Sequence, residues 1–187
     1  MIEIRDERPD DRPAIRDLIT AAFTRSQHGY HDEADLVDAI RLRCPDVVSM
    51  VATADQSSEK MRLIVGHLLL SPVVIESTDS DDTLVGKGLG PVAVAPDHQR
   101  AGIAASMIQM AIDRLSKTGC PFVVVLGDPN YYSRFGFVAA IETGISHGFA
   151  GIAQEFFLIR WLSDSASKRL PGFARYRDEF GEQFHLA

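Results

Sequence analysis

Hydrophobic positions along the chain follow two periods. Ile15, Leu18, Ile19, Ala22 and Phe23 fall three and four residues apart behind Pro9, Asp10 and Asp11, which reads as one buried stripe on a helix with a marked start. A second helix starts near Asp32 and turns Leu36, Val37 and Ile40 to one side. Cys44-Pro45 ends it, because the residue before a proline is pushed out of helical geometry. From Ile103 to Leu115 nearly every position is apolar apart from a stripe of Ser106, Gln109, Asp113 and Ser116, which predicts a long, mostly buried helix over residues 102–117 closed by Gly119. Strand-like stretches cover residues 2–5, 47–54, 62–76 and 84–95, with Gly66 and Pro72 as irregularities in the third. Residues 122–126 are five apolar residues in a row, the pattern of an interior strand. A short helix over 130–134, a strand start at 136–138 and a last strand over 155–161 complete the pattern.

Beyond Ser163 the chain is more polar, yet Leu170, Phe173, Tyr176, Phe180 and Phe184 imply that this tail packs. No repeat and no linker interrupts the pattern. The expected fold is a single α/β (α+β) domain over residues 1–162, a mixed, mostly antiparallel sheet flanked by helices, with a packed C-terminal extension over 163–187.

Charge narrows the list of partners. With 19 basic and 26 acidic residues the net charge is −7, which argues against general binding of nucleic acid or anionic membrane. It leans towards a cationic substrate such as an amine, although solubility alone accounts for it. Cys44 and Cys120, each followed by proline, match neither a metal spacing nor a disulfide framework, so free thiols in a reducing cytoplasm are expected. The charged N-terminus shows no signal segment, and no apolar run approaches the roughly 20 residues that cross a bilayer. His28, His31 and His147 lack ligand spacing, and no metal is expected.

Chemistry concentrates in residues 89–104. An apolar strand runs through Val92, Ala93 and Val94 into a Pro96 turn, and Gln99, Arg100, Ala101 and Gly102 lead into the long helix at Ile103 and Ala104. A helix start carries backbone N–H groups without intrahelical partners at the positive end of its dipole, a setting that holds phosphate or pyrophosphate. Gly102 and Ala104 let a bulky anion come close to the backbone. No Gly-Lys-Ser/Thr follows and the dinucleotide glycine pattern fails, so two common phosphate loops are excluded.

The segment Gln99-Arg100-Ala101-Gly102-Ile103-Ala104 resembles the acetyl-CoA motif of the GCN5-related N-acetyltransferases, Gln/Arg-x-x-Gly-x-Gly/Ala. The likeness extends upstream to Leu89 and downstream over residues 126–137, where Tyr132 four residues before Gly136-Phe137 resembles a Tyr-x-x-x-Gly-Phe signature of the family's bacterial YhbS-type branch. Gly66-His67, Ser71-Pro72 and Pro171-Gly172 also look like that branch, so the resemblance spans most of the chain.

That resemblance implies a sheet splayed where the strand of residues 92–94 parts from that of 123–125, with pantetheine in the opening. Val92 and Val94 then offer backbone groups to pantetheine, and residues 99–104 wrap the pyrophosphate. Arg100 adds a cation–phosphate contact or is a solvated charge. Tyr132 is the general acid for the leaving thiolate or packs beneath pantetheine. Asn130 caps the short helix or binds pantetheine amides, and Tyr131 is expected in the core.

An ammonium acceptor also needs a base. Glu33 is the candidate, with Asp35 beside it on the second helix; Glu33 is alternatively part of a cap with Asp32. His67 serves as base or as a hydrogen-bonded structural group, and a water chain is a further route. The loop over residues 26–32 and the first two helices are expected to shape the acceptor pocket. The implied activity is transfer of an acetyl group from acetyl-CoA to a small-molecule or protein amine by direct attack, with oligomerisation left open. The alternative is a non-catalytic acyl-CoA-binding module or sensor.

Overall fold

Alternation at the N-terminus forms β1 (Ile2–Asp6), antiparallel to β2 (Val48–Asp55). This is seen in a computed structural model that describes residues 1–24, 32–55, 62–163 and 171–183. Contacts group the chain into two units, Met1–Leu70 with Pro91–Met110, and Ser71–Gly90 with Ala111–Ala187.

In the first unit, Asp11 accepts both guanidinium nitrogens of Arg5, at 2.6 and 2.9 Å, and the Arg8 backbone N–H at 2.6 Å. This pins the start of α1 (Arg12–Thr24), which buries Ile15, Leu18 and Ile19. α2 (Glu33–Arg43) buries Ala34, Leu36, Val37 and Ile40 and ends at Cys44. β2 pairs antiparallel with the first half of β3 (Arg62–Ser77), with a bulge where Thr53 meets Ile64. The last residues of β4 (Thr83–Val94) and the first turns of α3 (Ile103–Lys117) complete this unit. Gly66 brings α3 onto β3: an added Cβ would stand 3.0 Å from both Met107 Sδ and Ala52 Cβ.

In the second unit the Ser77 N–H bonds the Asp82 carbonyl and closes the β3–β4 hairpin. The Val-rich run is β5 (Phe122–Leu126), parallel to β4 and fully buried at Phe122, Val123 and Val124. After the short α4 (Pro129–Tyr132) come β6 (Val138–Ala139), β7 (Ile145–His147) and β8 (Phe157–Trp161). β8 pairs antiparallel with both β5 and β6. The segment read as a tail contributes β9 (Gly172–Arg175), antiparallel to β3 and parallel to β7, and then α5 (Asp178–Gln183). The core here is Val73, Ile75, Phe122, Val124, Ala140, Ile145, Phe157, Ile159 and Ala174, with Tyr176 against it. The sheet is therefore mixed and mostly antiparallel, as the sequence predicts.

Three expectations are corrected. α3 buries one stripe, Ile103, Met107, Ile108, Ala111, Ile112 and Leu115, and exposes Met110 with the polar positions; an apolar residue off the sheet-facing side has nothing to pack on. The last strand is β9 rather than β8, because the glycine at 172 and small Ala174 pass against β3 and β7. The strand start at 136–138 is only a two-residue bridge, because Gly136 takes the left-handed conformation at φ +77°. Phe180 is buried as expected of a packed tail, whereas Leu170 and Phe184 lie outside the described residues.

Candidate active site

The β4–β5 ladder covers only Lys87–Leu89 against Val123–Val125. Pro91 follows and has no N–H to donate. Further on, the Ala95 N–H donates to the Val65 carbonyl at 2.9 Å, so residue 95 faces β3. Backbone groups alternate between the two edges of a strand, and Val92 and Val94 thus turn theirs away from β3. Gln99 Nε2 donates to the Val94 carbonyl at 3.1 Å, which engages that oxygen. Val92, with the Val94 N–H, is what this edge presents. Beside it lies a groove of about 280 Å³ lined by Ala22, Phe23, Val92, Ala93, Val94, Pro96 and Gln99.

The turn that follows is held in an unusual backbone conformation. Among the described residues Arg100 is the only non-glycine at positive φ, +62°, and Gly102 sits at +80°. A non-glycine residue there costs on the order of 1–3 kcal/mol, and such strain collects at functional sites. The first helical bond of α3 runs from the Ser106 N–H to the Gly102 carbonyl at 3.0 Å. The N–H groups of Ile103, Ala104 and Ala105 precede that ladder and face outwards at the positive end of the helix. Arg100, Ala101 and Gly102 are exposed, and an added Cβ on Gly102 meets nothing within 4 Å. Glycine is required here for its backbone angle, and the space over the loop is open. Successive N–H groups converging in this way form an anion-binding concavity.

In the second unit, Asp128 caps α4 by accepting the Asn130 N–H at 2.9 Å. Asn130 is therefore capped rather than the cap, because the acidic side chain sits two residues earlier, where it reaches that N–H. The carboxamide of Asn130 is exposed. Tyr132 lies with its ring against Gly127, where any Cβ would collide with it, and edge-on to Tyr131 and Phe137 at 5.1 and 5.6 Å between centroids. Burial, and then the neighbouring Tyr131, push its phenol well above the ordinary value, so Tyr132 keeps its proton at neutral pH. Tyr131 is not a core residue: it is half-buried, with the Arg134 guanidinium 4.7 Å from its ring centroid, because the short helix turns that side chain to the surface. Tyr176 is a second phenol raised by burial and then by Tyr132, its ring over Gly88. The aromatic run of the tail signals its packing but not this neighbour.

The first unit also holds a buried polar cluster. Arg41 Nη2 donates to Glu7 Oε2 at 2.6 Å, with side chains 7% and 9% exposed. Ser49 Oγ donates to the same carboxylate oxygen and lies 3.0 Å from His67 Nε2. Burial alone would raise the Glu7 pKa, but hydrogen bonds from His67, Ser49 and Arg41, with the Arg41 charge, outweigh it and hold the carboxyl down at about 2. His67 is fully buried, and its pKa is lowered by that burial and by Arg41, against the pull of Glu7. The sequence pointed only to His67; its partners come from three other segments and share no local spacing with it.

Glu33 is part-buried in the first turn of α2, where a carboxylate complements the helix dipole, and it does not line the groove. Asp35 is exposed and pairs with Arg16 at 2.5 Å. Residues 25–31, including His28, His31 and nearly all of the expected acceptor loop, lie outside the described residues. Among the described residues no three His, Cys, Asp or Glu stand together as a metal site, and no helix is long and apolar enough to cross a membrane.

A family model for the acetyltransferase (GNAT) domain matches residues 3–140. The chain belongs to the GNAT acetyltransferases. YhbS of Escherichia coli K12, an uncharacterized N-acetyltransferase, is 30% identical to this GNAT protein over 177 residues, 95% of this chain and 97% of its own. The crystal structure of E. coli YhbS in complex with CoA superposes with a TM-score of 0.82 at 30% identity, covering 96% of this chain and 92% of that one. A GNAT family acetyltransferase from Brucella melitensis, solved with acetyl-CoA, gives a TM-score of 0.74 at 30% identity over 96% and 98% of the two chains. The fold of this protein is the GNAT fold.

Proposed function

We propose that this GNAT protein is an N-acetyltransferase that moves an acetyl group from acetyl-CoA to a primary amine by direct attack of the amine on the thioester. One observation carries the reading: the loop at 99–105 spends backbone strain at Arg100 to aim N–H groups into open space at a helix start. A diphosphate satisfies those donors and the dipole together. The homologous YhbS and Brucella proteins bind CoA and acetyl-CoA, which supports the same donor here.

In this reading Gln99, Arg100, Ala101, Gly102, Ile103 and Ala104 hold the pyrophosphate, Arg100 with its charge and the others through the backbone. Val92 and the Val94 N–H bond the pantetheine amides, Ala93 shapes the groove, and Asn130 offers its exposed carboxamide to the same arm. Tyr132, kept protonated by its surroundings, supplies the proton that the departing thiolate takes up. The acceptor amine reaches the thioester from the groove beside Phe23.

The test joins two measurements. Titration calorimetry with acetyl-CoA shows saturable binding, and an amine panel assayed for CoA release yields at least one acceptor. Tyr132→Phe keeps the acetyl-CoA affinity and lowers kcat by about 10²-fold, the scale of a general acid. No heat with acetyl-CoA on folded protein overturns the donor assignment. Binding without turnover of any amine favours an acyl-CoA sensor instead.

A further inference from the structure

Tyr176 follows β9 in the second unit, and its ring lies on β4. An added Cβ at Gly88 would stand 2.7 Å from Tyr176 Cε1, 3.1 Å from Cζ and 2.8 Å from Val73 Cγ2. The hydroxyl-bearing end of the phenol therefore fills the place of the side chain that Gly88 lacks. Three more rings hold it there. Phe180, Phe149 and Phe157 stand edge-on at 4.9, 5.1 and 6.2 Å between centroids. A ring packed on several sides in this way is a fixed wall. Tyr176 is still only half-buried, so part of it is accessible.

The wall stands at the last rungs of the β4–β5 ladder. Gly88 pairs with Val124 and Leu89 with Val125, and the ladder ends there. Tyr132 lies at the end of the same β5. Its ring is against Gly127, whose N–H donates to the Phe156 carbonyl at 2.9 Å. The next residue, Phe157, pairs with Leu126 and is one of the rings edge-on to Tyr176. One short stretch of β5 and β8 thus carries both phenols. They are near enough for Tyr132 to push the Tyr176 phenol further up than burial alone does.

We propose that Tyr176 is the stop of the acyl subsite, a specificity-determining residue that limits the CoA thioester to acetyl and propionyl groups. This rests on the acetyl-transfer reading, in which the thioester sulfur lies beside Tyr132. From there the acyl chain extends towards the closed end of the ladder, over a stretch of β4 with no side chain at Gly88. A methyl or ethyl group fits over such bare backbone. A longer chain runs into the phenol, which the surrounding rings keep from giving way. The C-terminal segment then takes part in the reaction: by pairing β9 with β3 and β7 it carries in the residue that measures the acyl group.

The experiment compares acetyl-, propionyl-, butyryl- and hexanoyl-CoA by calorimetry, with CoA release from the same donors followed on the amine panel. One methylene too many for a closed apolar pocket is worth about 10–200-fold. Wild type therefore binds and uses acetyl-CoA and propionyl-CoA alike, and butyryl-CoA at least about tenfold less well. Tyr176→Leu and Tyr176→Met keep an apolar side chain in the core but shorten the wall, and each recovers most of that tenfold for butyryl-CoA. Tyr176→Phe keeps the ring and keeps the wild-type order. Each readout is a ratio between donors on one protein, so a lower yield of folded variant cancels. Wild type that takes hexanoyl-CoA as well as acetyl-CoA, which needs no variant to fold, overturns the proposal while acetyl transfer stands. Folded Tyr176→Leu or Tyr176→Met with the wild-type ratio does the same. Wild type that ranks the donors as expected and releases CoA with no amine overturns the transfer reading and keeps the stop, now in an acyl-CoA sensor. Absence of binding by every acyl-CoA overturns both.

Discussion

Single residues in this protein hold backbone angles and proton positions that their neighbours impose. Gly102 at φ +80° has open space where a side chain would go, so replacing it tests conformation alone. Gly102→Ala costs about 1 kcal/mol of stability and weakens acetyl-CoA binding at least about tenfold, read by calorimetry, because the turn relaxes away from the left-handed region. Arg100 separates strain from charge. Arg100→Gly removes the strained non-glycine angle and raises the melting temperature, while loss of the cation lowers acetyl-CoA affinity. An unchanged affinity assigns Arg100 to the solvent.

At the scale of elements, Gly66 and Gly88 decide how close neighbouring segments come. An added Cβ at Gly88 would stand 2.7 Å from the Tyr176 ring and 2.8 Å from Val73. Gly88→Ala therefore displaces Tyr176 and lowers the urea midpoint by the equivalent of about 1–3 kcal/mol, the usual cost of overpacking. The elements themselves were largely legible in the sequence. The stripe of α1, the Cys44-Pro45 stop of α2 and the Val-rich β5 are local patterns, and each lies within a residue or two of its expected bounds. α3 was read as more buried than it is. Composition shows Met110 as apolar but not that its side of the helix faces no partner. β9 was missed because Gly172–Arg175 is short and gains its pairing from β3 and β7, which are distant in sequence.

Across the molecule, buried titratable groups set the pH range of stability. The folded pKa of Glu7, about 2, lies below its unfolded value of about 4.5. Its contribution, on the order of 3 kcal/mol, is present above pH 4.5 and lost as pH falls towards 2. His67 is depressed too, so its contribution is present above pH 6.5 and declines as pH falls below that value. Tyr132 and Tyr176 are raised, and what they contribute is present below pH 10 and lost as pH climbs beyond it. Urea titrations across pH check this: stability falls on both flanks, and His67→Gln flattens the part that begins near pH 6.5. Glu7→Gln removes the slope between pH 4.5 and 2 and lowers stability at pH 7, because Arg41 then keeps Asp38 as its charged partner but loses the buried carboxylate.

The candidate site divides along the same line. The sequence alone determined the strand–turn–helix at residues 89–104, the family likeness it carries and the phenol at 132, because periodicity, proline and glycine act through neighbouring residues. The Val94 carbonyl held by Gln99, the Asp128 cap and the left-handed Arg100 became visible only in three dimensions. The same is true of the meeting of Glu7, Arg41, Ser49 and His67. Burial and hydrogen-bond satisfaction belong to the assembled chain: which carboxylate reaches a histidine depends on segments dozens of residues apart brought together by strand pairing.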